Sequence, residues 1–110
     1  MRTLEFEVRG QKLERKKSCR WENIVAGSVN YLRVKFYFYG NEWTDYDKAV
    51  SFFADGSGGL KEDGVLLDNN DSCVIPARIL IGPEFSLSVS GIKGNNMIKT
   101  NRVTVEQEVV

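Results

Sequence analysis

A chain of 110 residues with 42% hydrophobic and 27% charged side chains has the composition of one soluble globular domain. It contains no histidine, which excludes Ser-His-Asp and Cys-His nucleophilic systems and histidine-bearing zinc sites. The formal net charge is zero, whereas a nucleic-acid-binding domain usually has a basic excess. No nucleic-acid partner is therefore expected.

The charge is unevenly distributed along the chain. The first 20 residues hold seven Lys or Arg and three Glu, a balance of +4, and the remainder carries −4. The two regions could attract each other head to tail in neighbouring copies. The alternative is that the basic stretch is a solvated loop.

The N-terminal half begins with a clear strand pattern. Leu4, Phe6 and Val8 alternate with polar residues, which predicts a half-buried strand. A turn is predicted at Gly10-Gln11. The basic segment 12–20 predicts a loop or an edge strand.

The clearest strand covers Tyr31 to Tyr39, after a short strand and turn predicted at residues 24–28. Its apolar side chains lie on one face, and the other face mixes tyrosines with cations. Tyrosine and arginine are enriched at protein interfaces. The alternative is that loops of the domain, or a second sheet, cover this face. The candidate interface residues are Tyr31, Arg33, Lys35, Tyr37 and Tyr39.

The middle of the chain alternates turns with short strands. Residues 42–47 form an acidic loop in which Trp43 is expected to fill the core beneath the loop. Residues 49–53 predict a strand, and the glycine-rich residues 55–59 predict a flexible turn. Residues 68–71 predict a hairpin turn between two further strands at 65–67 and 73–75.

The C-terminal part contains one predicted helical turn at residues 76–80 and further strands. Phe85, Leu87 and Val89 alternate with serines, and 93–96 forms a turn. Two more strands are expected at 97–98 and 103–106. The pattern predicts an all-β, immunoglobulin-like antiparallel β-sandwich of seven to nine short strands, or a small barrel, with residues 1–110 as a single domain.

No constellation of residues indicates catalysis, a cofactor or a metal. The acidic pairs Asp45/Asp47, Glu62-Asp63 and Asp68/Asp71 are interpreted as solvated turn acids, because a domain this small has little room for a glycosidase cleft. Residues 68–71 lack the calcium-loop spacing, and 56–59 lack the Lys-Ser/Thr of a phosphate loop. The protein is therefore not expected to be an enzyme.

Two further features concern the cellular environment. Cys19 and Cys73 fit no metal motif, and two free thiols are expected rather than a disulfide. The N-terminus alternates charged and apolar residues and does not predict a signal peptide. No segment approaches the roughly 20 apolar residues that cross a bilayer, so no membrane association is expected.

The order of elements resembles a group of short phage and prophage proteins similar to the N-terminal domain of the siphophage baseplate upper protein. The resemblance covers residues 4–109, and its motifs are structural. They are the strand 31–38, the tryptophan loop 42–45, the strands 48–53 and 73–76, the alternating segment 85–91, and 98–101 followed by a valine-rich end.

This resemblance implies an immunoglobulin-like sandwich in a virion, as a tail or baseplate component that assembles with itself or with other phage structural proteins. The chain would be made in the bacterial host cytoplasm. It departs from the baseplate protein because no linker or receptor-binding attachment follows residue 110, which favours a free-standing virion or tail-accessory protein. The alternative function is a carbohydrate-binding module, because β-sandwiches with surface Tyr and Trp can stack on sugar rings. A glycan is thus a less favoured partner.

Overall fold

The computed structural model describes residues 1–56 and 59–110, with side chains described for residues 1–54 and 62–110. The glycine-rich turn predicted at residues 55–59 is centred on positions 57 and 58, which lie outside the described residues. Within the described part of the chain, no helix is long and apolar enough to cross a lipid bilayer.

The described residues form nine strands and one short 3₁₀ helix. A first sheet has the strand order β2-β1-β3-β6, and a second has the order β5-β4-β7-β8 with β9 also paired to β7. Two packed sheets confirm the predicted all-β sandwich and not the closed barrel. The elements are β1 (Arg2–Arg9), β2 (Lys12–Arg15), β3 (Leu32–Tyr39), β4 (Asp47–Gly56), β5 (Gly59–Leu66), β6 (Ser72–Val74), the 3₁₀ helix η1 (Ala77–Ile79), β7 (Glu84–Lys93), β8 (Asn96–Lys99) and β9 (Val103–Glu106).

Alternating side chains from both sheets meet in one hydrophobic core. In the first sheet, β1 and β3 each contribute three fully buried side chains, and β4 and β7 do the same from the second sheet. This is the dyadic pattern that the sequence predicted, because successive side chains of a strand point to opposite faces. The inward residues of the four strands are Leu4, Phe6, Val8, Leu32, Val34, Phe36, Val50, Phe52, Ala54, Phe85, Leu87 and Val89.

One strand pair differs from the expected antiparallel arrangement. β1 and β3 run parallel over eight residue pairs, from Arg2 opposite Leu32 to Arg9 opposite Tyr39. Parallel neighbours need a long crossover connection, and residues 10–31 provide it. The first sheet is therefore mixed, and its parallel register decides which side chains of β1 meet those of β3.

The connection at residues 68–71 is not a hairpin turn, which corrects the prediction. β5 pairs with β4 in the second sheet, whereas β6 pairs with β3 in the first. The prediction of a turn at these residues was correct. Asp68 Oδ1 accepts hydrogen bonds from Asn70 N (2.9 Å) and Ser72 N (3.0 Å), and Asp71 has a positive φ of 55°. These contacts bend the chain between the two sheets instead of joining adjacent strands.

Three other local predictions can be compared with the structure. The short strand predicted at residues 24–28 is reduced to a single bridge between Val25 and Glu108. The first four residues of the basic segment 12–20 form the edge strand β2, in agreement with the second of the two predictions for this segment. Trp43 is 2% exposed, and its Nε1 donates a hydrogen bond of 2.8 Å to the carbonyl oxygen of Gly10, which confirms its place in the core.

Candidate interaction surface

The outer face of the first sheet carries four of the five predicted interface residues. Arg33, Lys35, Tyr37 and Tyr39 alternate along β3 with the buried residues, and each is half-buried or exposed. Tyr31 directly precedes β3 and is 49% exposed, while Tyr39 is 41% exposed. The structure therefore brings the predicted set together along one strand.

Two carboxylates of β1 hold the rings of Tyr37 and Tyr39. The Tyr37 hydroxyl donates a 2.5 Å hydrogen bond to Glu5, and the Tyr39 hydroxyl donates a 3.0 Å bond to Glu7. Each hydrogen bond, followed by partial burial, raises the pKa of its tyrosine hydroxyl above the usual value. A phenol with the ordinary pKa of about 10 is already protonated at neutral pH, and the raised pKa extends this donor form to higher pH.

Positive side chains lie over the same two rings. The guanidinium of Arg9 lies 4.4 Å from the centre of the Tyr39 ring and forms a 3.6 Å ion pair with Glu7. Lys16 and Lys35 lie 5.6 Å and 5.4 Å from the Tyr37 ring centre. Cation–π contacts of this kind contribute about 0.5–1 kcal/mol each at exposed sites. The tyrosines are therefore fixed by several weak contacts of different kinds.

The sequence did not identify Glu5 and Glu7 as part of this surface. Their alternation with Leu4, Phe6 and Val8 placed them on a polar face, which was the only available signal. Their role depends on the parallel register, in which Glu5 lies opposite Lys35 and Glu7 opposite Tyr37. We call the surface formed by β1 and β3 side chains the tyrosine face; its members are Glu5, Glu7, Arg9, Arg33, Lys35, Tyr37 and Tyr39.

One edge of the sandwich is closed by side chains. Asn101 Oδ1 accepts a 2.7 Å hydrogen bond from Leu13 N, and Asn101 Nδ2 donates a 3.1 Å bond to Leu13 O. Gln11 Nε2 also donates to Lys99 O (3.0 Å). The amide of Asn101 thus replaces a neighbouring strand along β2, and an unpaired edge is a common route to unwanted strand pairing. The backbone of β2 at Leu13 is therefore not available for pairing with another strand.

A polar depression of about 260 Å³ lies between the start of β4 and the 68–71 connection. Lys48 forms a 3.5 Å ion pair with Asp71, and Arg33 forms a 3.6 Å ion pair with Asp68. The depression is lined by Tyr46, Asp47, Lys48, Leu67, Asp68, Asn69 and Asp71.

The acidic residues that the sequence singled out do not all meet at one place. Asp47, Asp68 and Asp71 share the polar depression, whereas Asp63 forms a 3.5 Å ion pair with Arg78. Cations therefore neutralise several of these acids. Among the described residues, no group of three or more His, Cys, Asp or Glu side chains is arranged to hold a metal ion.

Both cysteines are free, as predicted. Cys73 is buried on β6, and this burial raises the pKa of its thiol to about 12. The neutral thiol is the unreactive form, so Cys73 acts as a small hydrophobic side chain. Cys19 is half-buried, and its Sγ accepts a 3.4 Å hydrogen bond from Glu5 N.

No protein-family model matches the chain, and no curated protein matches it.

Proposed function

We propose that this protein is a structural component of a bacteriophage tail or baseplate and that it acts by protein–protein assembly through the tyrosine face. The observation that carries the proposal is the pair of tyrosines held by carboxylates on one open sheet face. The phage context comes from the sequence resemblance, which predicts a virion location and partners among other virion proteins or further copies of the chain.

Preorganisation is the physical reason to expect binding at this face. Association costs about 0.5–1.5 kcal/mol for each flexible side chain that becomes immobilised. Tyr37 and Tyr39 are already restrained by Glu5, Glu7 and the cations above their rings. A partner would therefore gain ring contacts while losing little side-chain entropy.

The dimensions of the molecule are sufficient for such an interface. Its accessible surface is 6420 Å². Specific interfaces bury roughly 800 Å² per partner, which is about an eighth of that surface. The surface also mixes aromatic rings with both signs of charge, which gives a partner polar contacts at the rim of the interface.

The assembly proposal can be tested by measuring particle mass. Mass photometry of the purified protein, across a concentration series, should show oligomers that the double variant Tyr37→Ala/Tyr39→Ala loses. Met97→Ala is the matched control, because Met97 is 59% exposed on the second sheet. If the double variant stays folded by circular dichroism and assembles as the wild type does, the tyrosine face is not the contact.

The virion location needs its own experiment. Phage particles should be induced from the bacterium that encodes the chain, purified through a density gradient and analysed by quantitative mass spectrometry. The chain should co-purify in a fixed ratio to the major tail protein. Its absence from particles that contain the other tail proteins would contradict the virion assignment.

A carbohydrate-binding module is the second candidate function, and the polar depression is the observation that favours it. Tyr46 offers a ring, while Asp47 and Asn69 offer hydrogen-bonding groups, a combination suited to a sugar. A glycan array tests this function directly. A specific glycan signal that Asn69→Ala abolishes and Tyr39→Ala preserves would favour sugar binding over assembly.

A further inference from the structure

A cavity of about 150 Å³ opens on the outer side of the second sheet, away from the tyrosine face. Phe53, Ser86 and Thr104 line it side by side on three neighbouring strands. Phe53 pairs with Ser86 across β4 and β7, and Ser86 pairs with Thr104 across β7 and β9. Their side chains point outward, because the residues adjacent to them in sequence, such as Phe52 and Val105, are buried.

The side chain of Arg102 crosses this surface. Arg102 directly precedes β9, yet its guanidinium carbon lies 3.6 Å from the centre of the Phe53 ring on β4. It reaches the ring over β7, where the outward residues Ser86 and Ser88 are small. Stacking on an aromatic face fixes the plane of a guanidinium and leaves its N–H donors in a fork around the edge.

Opposite charges line the same cavity without neutralising each other. Glu84 and Arg102 both contribute to its wall. They do not form an ion pair with each other among the described residues, whose ion pairs join atoms 3.5 to 3.7 Å apart. The hydroxyls of Ser86 and Thr104 add neutral hydrogen-bonding groups. The cavity therefore presents a positioned guanidinium, two hydroxyls and one negative charge at its rim.

We propose that this cavity is a binding site for a carboxylate group, with Arg102 as its main ligand-contacting residue. A stacked guanidinium matches the two oxygens of a carboxylate in a bidentate, charge-assisted pair. A volume of about 150 Å³ corresponds to about five water molecules at roughly 30 Å³ each, which is enough for an acetate-sized group. Glu84 disfavours a second negative charge, so the site selects a monocarboxylate over sulfate or phosphate.

The carboxylate can come from a free small acid or from an acidic residue of another copy of the chain. Both sources share the same recognition by Arg102. The site is independent of the proposed assembly surface because it lies on the other sheet. If the carboxylate-binding proposal fails its test, the assembly proposal is unaffected, and the reverse also holds.

The test is a titration of the isotopically labelled protein with sodium acetate, followed by nuclear magnetic resonance at constant ionic strength. The backbone amides of Ser86 and Thr104 and the Arg102 Nε–H should shift and saturate. Sodium chloride should not shift them, and sodium sulfate should bind several-fold more weakly because of Glu84. Equal shifts with chloride and acetate would overturn the proposal.

Variants with opposite expected effects on acetate binding test the roles of Arg102 and Glu84. Arg102→Gln should weaken acetate binding about tenfold, and Arg102→Lys should recover only part of it, since an ammonium cannot form the bidentate pair. Glu84→Gln should strengthen binding several-fold by removing a like charge. Arg9→Gln, the matched control, removes another stacked arginine and should leave binding unchanged. Unaltered affinity in Arg102→Gln would overturn the proposal.

A concentration series of the protein without acetate identifies the source of the carboxylate. If the same amides shift as the concentration of acetate-free protein rises, and acetate reverses the shift, a second copy supplies the group. If only acetate shifts them, the ligand is a free small acid. If neither produces a saturable shift, the site does not bind carboxylates.

Discussion

At the scale of single residues, the chain uses polar groups to fix the positions of larger ones. Trp43 fills the core and is held by a hydrogen bond to Gly10, and its ring packs 5.1 Å from the Phe38 ring, measured between centroids. Composition predicted that this tryptophan would be buried. It could not predict the partner, because the contact joins the loop at 42–47 to the β1–β2 turn 33 residues earlier.

A close backbone approach beside Trp43 gives the first stability prediction. A Cβ at position 91 would lie 3.0 Å from Trp43 Cζ3 and 3.1 Å from Tyr46 Cβ. Gly91→Ala should therefore lower the free energy of unfolding by about 1–3 kcal/mol, as overpacking of a core usually does. Urea denaturation measures the change.

Gly64→Ala is the control for this substitution. A Cβ at position 64 on β5 meets nothing within 4 Å, and its φ is outside the left-handed region. The substitution should be neutral or should stabilise the fold by up to about 1 kcal/mol. Equal destabilisation by both variants would show that contact with Trp43 is not the cause.

The buried thiol of Cys73 predicts a loss of stability at alkaline pH. Its pKa rises from 9.0 to about 12 on burial, so the unfolded chain loses the proton first as pH rises. The stability is intact below pH 9 and falls between about pH 9 and 12, by up to about 1.4 kcal/mol for each pH unit. Tyr37 and Tyr39 act in the same direction, because their pKa values are also raised.

Urea denaturation between about pH 7 and 10.5 tests this prediction. Cys73→Ala should be less stable at neutral pH because of the lost side-chain volume, but its stability should fall less steeply above pH 9. Identical alkaline slopes for the wild type and the variant would contradict a role for the thiol.

At the scale of elements, side-chain periodicity predicted the strands well and their pairing poorly. The inward residues of β1, β3 and β7 follow a period of two that depends only on local geometry. The parallel register of β1 and β3, and the passage of residues 68–71 between sheets, depend on contacts distant in sequence. The same limit explains why the tyrosines of the candidate surface could be predicted and their partners Glu5 and Glu7 could not.

Asn101 joins the two sides of the sandwich at the edge strand β2, which leads to a prediction for that strand. Asn101→Ala removes both hydrogen bonds to the backbone of Leu13, a buried residue. The loss should cost about 1–3 kcal/mol, because buried polar groups would be left unpaired. Hydrogen exchange of the Leu13 amide should also accelerate.

Gln11→Ala provides the comparison for Asn101→Ala, because it removes only one exposed hydrogen bond at the same seam. It should cost about 0.5 kcal/mol and leave exchange at Leu13 almost unchanged. If Asn101→Ala has no larger effect than Gln11→Ala, the amide does not close the edge.

At the scale of the whole molecule, the two open sheet faces differ in chemistry. The tyrosine face presents rings with carboxylates and cations, whereas the second sheet presents serines together with the Phe53–Arg102 stack. Composition could not predict this difference between the faces, because the net charge of zero is an average over the whole chain. The proposed assembly surface and the proposed carboxylate site therefore lie on different sheets, and the two proposals can be tested separately.

The uneven charge along the chain predicts that any assembly depends on salt. If the basic first 20 residues attract the acidic remainder of a neighbouring copy, raising NaCl from about 0.1 M to 1 M should reduce the oligomer size. The range of such attraction falls from roughly 10 Å to 3 Å over this change. Light scattering measures the size, and oligomers unaffected by salt would leave the tyrosine contacts as the source of association.

Hydroxyl-radical footprinting tests the central claim, that assembly occurs through the tyrosine face, most directly. Oxidation is compared between dilute protein and protein concentrated enough to assemble. Tyr39 should become protected on assembly, whereas Met97 on the second sheet, whose sulfur oxidises readily, should remain as reactive as before. Protection of Met97 with unchanged oxidation of Tyr39 would contradict the account.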